Sequence, residues 1–136
     1  MKQLFLNLPV KNLEKSQAFY EALGFVINPV FTDDVNQKCL VWSDHIYVML
    51  QSLTFTAKHV KKPHANFQHV SGPSFTLPLE SFADINKLAE KGLAAGGKES
   101  IPMIDEGFMQ VRTLEDPDGH TWGLLYLDLE KFKSLR

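Results

Sequence analysis

The residues of this chain from which chemistry could be built are its five histidines, its one cysteine and Arg112. His59, His64 and His69 recur in a stretch that also carries Lys58, Lys61, Lys62 and Pro63. Clustered imidazoles would hold a transition metal through neutral ring nitrogens. Their spacing does not put them on one face of a helix, so the stretch reads instead as a solvated or lid-like loop. His45 and His120 fall in turns. Cys39 precedes Leu40 and Val41 in a strand and reads as a buried, inert thiol rather than a nucleophile. Arg112 is read in two ways. A guanidinium in an apolar cleft would fix a carboxylate or phosphate through paired N–H donors; a rim arginine would only solvate the surface. No Ser-His-Asp pattern, Gly-rich phosphate loop or Cys-x-x-Cys pair offers another mechanism.

With 136 residues the chain is one domain's worth, residues 1–136, and large enough to bury a core. Its 44% hydrophobic and 22% charged content is that of an ordinary globular protein. A net charge of −2 gives no electrostatic reason to expect nucleic acid or an anionic membrane. No apolar run is long enough to span a bilayer. The lone Cys39 has no internal disulfide partner and fits a reducing compartment. Met1 to Leu6 leads straight into a strand without a small-residue cleavage site. The expected location is cytoplasmic.

The elements that would position these residues come in two similar units. Leu4, Leu6, Leu8 and Val10 alternate at strand period. Asn12 can cap a helix bearing Leu13, Phe19, Tyr20 and Leu23, and Gly24 ends it. Strands are expected at Phe25 to Phe31, Lys38 to Trp42 and Ile46 to Gln51. The second unit opens on Ser74 to Leu79, whose Leu77-Pro78-Leu79 echoes Leu8-Pro9-Val10. Ser81 and Asp84 begin a helix with Phe82, Ile85, Leu88 and Ala89 on one face, and Gly96-Gly97 stops it. Strands near Lys98 to Pro102, Phe108 to Leu114 and Thr121 to Leu127 follow. Asp116-Pro117-Asp118-Gly119 is a tight turn between the last two. The modules span about 1–52 and 74–127, and the 53–73 connection is long enough to suggest a functional cover. Leu129 to Arg136 is expected as a short terminal helix or tail.

The order of elements, the Asn7-Leu8-Pro9-Val10 start with its Phe19-Tyr20-Glu21-Ala22-Leu23-Gly24-Phe25 helix end, and the Glu115-Asp116-Pro117-Asp118-Gly119-His120 turn resemble the vicinal-oxygen-chelate superfamily. That superfamily includes glyoxalase I, extradiol dioxygenases and the fosfomycin- and bleomycin-resistance proteins. The resemblance implies an α+β fold of two βαβββ modules, with curved mixed sheets forming a glyoxalase-like open barrel around a concave cavity. It also implies where metal ligands would stand. They fall at Phe5, near Met49, at Ser74 and at Gly123, none of which suits a divalent ion.

Strand alternation independently sends Phe5, Asn7, Tyr47, Met49, Gln51, Ser74, Thr76 and Gly123 to the cavity face. If Glu115 pairs with His120 across the turn, Gln110 and Arg112 join them. These ten residues form the expected ligand-binding set. They suggest a metal-free small-molecule binder, without cofactor, similar to the bleomycin-resistance branch. A metal-dependent lyase, isomerase or dioxygenase is the alternative, with a divalent metal as its cofactor, and an interaction module that has lost its pocket is a third reading. A homodimer is expected, because two-fold association commonly completes such open sheets.

Overall fold

A computed structural model describes residues 1–136. The first unit runs β1 (Leu4–Val10), α1 (Leu13–Ala22), β2 (Val26–Asn28), β3 (Gln37–Val41) and β4 (Ile46–Ser52). The second runs β5 (Ser74–Pro78), α3 (Phe82–Ala94), β6 (Ile104–Asp105), β7 (Met109–Glu115) and β8 (Thr121–Leu127). A short helix, α2 (Leu53–Ala57), begins the connection between them, and α4 (Leu129–Ser134) closes the chain. Each unit folds into a four-stranded sheet, ordered β1-β4-β3-β2 and β5-β8-β7-β6. β1 with β4 and β5 with β8 are parallel and the remaining pairs antiparallel. The result is the expected α+β pair of mixed βαβββ modules. The two sheets are separate, so the barrel is open.

Both modules use the same local devices. The Asn12 side chain accepts the Lys15 amide at 3.0 Å, and Ser81 Oγ accepts the Asp84 amide at 3.0 Å. Each side chain satisfies a helix-start donor that has no partner within the helix. At the far ends Gly24 (φ 102°) and Gly96 (φ 101°) take the left-handed conformation. The next amides fold back, Phe25 onto the Tyr20 carbonyl at 3.0 Å and Gly97 onto Gly92 at 2.9 Å. The echoed prolines, Pro9 and Pro78, both lie on edge strands, where the missing N–H leaves no gap in a ladder.

Two expected strands are corrected. The strand expected over Phe25 to Phe31 ends at Asn28, because Pro29 opens a 3-10 turn over Pro29–Phe31 and the Asn28 side chain accepts the Val30 amide at 3.0 Å. The strand expected at Lys98 to Pro102 is a single bridge, Lys98 to Glu115. Pro102 has no amide to donate, and pairing resumes beyond it in β6.

Helices α1 and α3 cover one face of the paired sheets. Leu8, Val10, Val48 and Leu50 pack with Phe19, Tyr20 and Leu23. Leu77, Leu114, Trp122 and Leu124 pack with Ile85 and Ala89. All 15 buried residues of this cluster are contiguous, so the modules share one core rather than two. Tyr20 and Trp122 meet edge to face at 5.6 Å across the junction.

Candidate functional site

The Asp-Pro-Asp-Gly turn does more than reverse the chain. Asp116 Oδ1 accepts the amides of Asp118 and His120, both at 2.9 Å. Gly119 adopts φ 92°, a conformation side chains disfavour. The Asp116 amide bonds to the His120 carbonyl at 2.9 Å, so His120 is held within the turn. Its Nε2 lies 2.8 Å from the Pro9 carbonyl on edge strand β1. A carbonyl can only accept, so Nε2 carries the proton and Nδ1 is the nitrogen left for other partners.

The 53–73 connection is built around this turn. Ser52 Oγ caps α2 by accepting the Phe55 amide at 3.1 Å, and Thr56 Oγ1 donates to the Ser52 carbonyl at 3.0 Å. α2 packs on β1 and β4. Farther along, Gln68 Nε2 donates to the Pro117 carbonyl at 2.8 Å, and the Phe67 ring leans on His120 with centroids 5.1 Å apart. The backbone of Phe67 comes so close to Gly119 that an added Cβ would lie 2.5 Å from the Phe67 carbonyl oxygen. The connection is thus docked as a cover over β1.

Beneath it lies a cavity of about 620 Å³. Phe5, Leu6, Phe67 and Phe75 contribute apolar walls, while Asn7, Gln51, Thr56, His59, His64 and His120 contribute polar groups. No aspartate, glutamate, lysine or arginine lines it. A concave, mostly apolar space with a few hydrogen-bonding groups has the size and character of a small-molecule site.

The expected set divides. Phe5, Asn7 and Gln51 line the cavity. Tyr47 and Met49 share their sheet face, paired with Phe5 and Asn7 respectively, but do not line it. The Phe5 and Tyr47 rings stack at 4.4 Å, and the Tyr47 hydroxyl donates to the Asp44 carbonyl at 3.0 Å. Ser74, Thr76 and Gly123 sit together on the corresponding face of the other sheet, Thr76 opposite Gly123, outside the cavity lining.

Gln110 and Arg112 are on the wrong face for the expected set. Glu115 pairs with Thr121 rather than His120, so Arg112 stands opposite the core residue Leu124 and not Gly123. A one-residue slip moves a side chain across the sheet. Arg112 therefore turns toward α3. Its Nε and Nη2 donate to the two Glu99 carboxylate oxygens at 2.9 and 2.8 Å, and Nη1 donates to Glu90 at 3.0 Å and Asn86 at 3.2 Å. The bidentate contact holds the Glu99 carboxyl below its usual value and raises the guanidinium further. Val111 and Thr113 take the places expected of Gln110 and Arg112.

The positions aligned with metal ligands offer no donor set. Phe5 and Gly123 have none, Met49 presents a soft thioether, and Ser74 a neutral hydroxyl. Nowhere do three His, Cys, Asp or Glu side chains converge closely enough to hold an ion. These residues do not fit a divalent metal. Cys39 is buried, and burial pushes its thiol above the ordinary value.

In the sequence His59, His64 and His120 read as loop and turn residues rather than site residues, and Phe67 carries no expectation. All four line the cavity. The signal that would have found them was the histidine-rich connection itself, once docked over an edge strand.

Residues 2–38 match the family model described as bleomycin resistance protein-like N-terminal. No curated protein matches the chain in sequence. The solved structure of hypothetical protein SA1046 from S. aureus is similar, with a TM-score of 0.77 and 23% identity over 93% of this chain and 94% of that one. A glyoxalase-related enzyme from Fulvimarina pelagi also reaches 0.77, at 20% identity, over 93% and 88% of the two chains. A bleomycin-binding protein solved with bleomycin reaches 0.59 at 23% identity, over 93% and 98%. The chain has the fold of the glyoxalase/bleomycin-resistance/dioxygenase superfamily, and the resemblance read from its sequence holds.

Proposed function

We propose that this chain is a metal-free small-molecule-binding protein that captures its ligand in the cavity between β1 and the 53–73 cover. The observation that carries this reading is the cavity itself, about 620 Å³ with aromatic walls and a ring of hydrogen-bonding groups. Asn7 and Gln51 on the sheet, Thr56 at the end of α2, and the three imidazoles present donors and acceptors from different sides. A bound molecule with a ring-bearing body could stack on Phe5 or Phe67 while its polar edge meets these groups. Such capture needs shape and desolvation but no reaction. The bleomycin complex of the similar bleomycin-binding protein supports a ligand of organic, drug-like size.

We further propose that the protein is a homodimer and cytoplasmic, the latter supported by the unpaired, buried Cys39. No helix is long and apolar enough to cross a membrane.

The experiment is a thermal-shift screen of small organic molecules, with each hit repeated on Asn7→Trp. Asn7 is exposed within the cavity, so tryptophan there fills the space without disturbing the core. Hits that stabilise the parent and lose their effect on Asn7→Trp support capture in this cavity. Hits that persist unchanged would place binding elsewhere. Elemental analysis of the purified protein is the second arm: one tightly held divalent ion per chain would favour a metal-dependent lyase, isomerase or dioxygenase instead.

A further inference from the structure

Charge is distributed very unevenly along this chain. Residues 53–73 contain Lys58, Lys61 and Lys62 with His59, His64 and His69, and not one aspartate or glutamate. The whole protein has a net charge of −2, so everything outside this segment amounts to −5. The segment is also the part of the chain that covers the cavity. Lys58, Lys61 and Lys62 are all exposed along it. The only titratable side chains lining the cavity are His59, His64 and His120, each of which can become a cation and none an anion.

The two aspartates of the turn that holds His120 are already engaged. Asp116 accepts the Tyr20 hydroxyl at 2.6 Å and two amides at 2.9 Å. Asp118 accepts the Lys11 amide at 2.9 Å and lies 3.5 Å from Ser16 Oγ. His120 spends its Nε2 proton on the Pro9 carbonyl, so Nδ1 can donate to a ligand only as part of an imidazolium. An anion in the cavity would meet groups able to become cations and no carboxylate to repel it, whereas a cation would find no carboxylate to pair with.

We infer that the ligand is an amphipathic organic anion: a ring-bearing apolar body carrying a carboxylate, sulfonate or similar oxyanion. The body lies against Phe5, Phe67 and Phe75. The anionic group faces His59 and His64, under the lysines of the cover. This inference rests on the proposed capture in the cavity and adds the ligand's charge. The lysines outside the lining act on encounter as well as on residence, since like charges gathered at a cleft mouth raise the local concentration of the opposite ion. They also make capture sensitive to salt, because exposed charges are screened.

The probe pair is 8-anilino-1-naphthalenesulfonate and N-phenyl-1-naphthylamine, two fluorescent dyes with the same body, of which only the first is an anion. Titrations are made with the full chain, with Asn7→Trp, and with a triple variant, Lys58→Gln, Lys61→Gln and Lys62→Gln. All three lysines are exposed and none bridges to an acid, so the triple variant should fold. The expected result is that the sulfonate binds more tightly than the neutral dye. It should lose roughly five- to tenfold in affinity on the triple variant, the sum of modest surface terms. The neutral dye should be indifferent to that change, and both dyes should be lost on Asn7→Trp. Equal affinity for the two dyes, with no effect of the triple variant, would overturn the anion inference while leaving capture in the cavity standing. Binding of both dyes untouched by Asn7→Trp would overturn both.

Discussion

The Tyr20 hydroxyl donates to Asp116 Oδ2 at 2.6 Å and in turn accepts the Trp122 indole N–H at 2.9 Å. This contact ties α1 of the first module to the Asp-Pro-Asp-Gly turn of the second, within the shared core. Burial pushes the Asp116 carboxyl up from its ordinary range and the Tyr20 hydroxyl well above its own. The network has one donor for each acceptor it spends. Tyr20→Phe would leave the Asp116 Oδ2 and the Trp122 N–H without partners. The expected loss is about 1–3 kcal/mol of unfolding free energy, measured by urea denaturation. A midpoint unchanged by the substitution would mean that water or a shifted side chain replaces the hydroxyl.

Arg112 is predicted to be structural. Its side chain is 12% exposed and that of its bidentate partner Glu99 23%, so the pair is partly screened and worth less than a fully buried one. Arg112→Ala should cost about 1–3 kcal/mol, within the range for hydrogen bonds to charged groups. Dye affinity in the cavity should not change, since the guanidinium points to α3. Glu99 is held below its usual value by Arg112. Its contribution is therefore present above the unfolded glutamate value of about 4.3, and is lost as pH falls through the lower folded value. The stability gap between parent and Arg112→Ala should narrow on acidification through that window. A gap that stays constant would show that Glu99 titrates independently of Arg112.

What could and could not be read from the residues follows from how many forces fixed each one. Leu4, Leu6, Leu8 and Val10 alternate, Asn12 caps, and Gly24 ends α1, so three independent signals agree on one module. Ser81, the α3 stripe and Gly96 repeat the agreement in the other. The face of Arg112 had no such support. Met109 to Glu115 carries apolar and polar residues on both faces, and only the Asp116 to His120 closure of the turn sets the register. The cavity was less legible still. It is assembled from β1, a cover lacking sustained period, and one turn histidine, which approach only because Gly119 admits the Phe67 backbone.

Gly119→Ala should therefore act on the cover. A Cβ there requires a side-chain residue at φ 92° and lies 2.5 Å from the Phe67 oxygen. The left-handed conformation alone costs roughly 1–2 kcal/mol, and the contact forces the cover outward. The expected phenotype is a lowered melting temperature with faster amide exchange and proteolysis confined to residues 58–73, and weaker binding of both dyes. Uniform loosening of the whole chain, with the cover no more affected than β8, would show that the turn matters to the fold and not to the cavity.

The proposed homodimer is tested on the sheet face away from α3. There Val111 pairs with Ile104 on one side and Leu125 on the other, with Leu127 near the end of β8. Ile104 and Leu127 are 38% and 37% exposed, so part of this apolar face is open to solvent. Apolar surface of this kind is favourable to bury against a second copy. Two-fold association would pair the same face from both chains. Val111→Asp places a charge in the middle of this patch, where a dimer would have to desolvate it without a partner. The parent should sediment as a dimer at micromolar concentration and Val111→Asp as a folded monomer with an unchanged circular-dichroism spectrum. A parent that is monomeric under the same conditions would remove the dimer, and a Val111→Asp variant that stays dimeric would move the interface to another face.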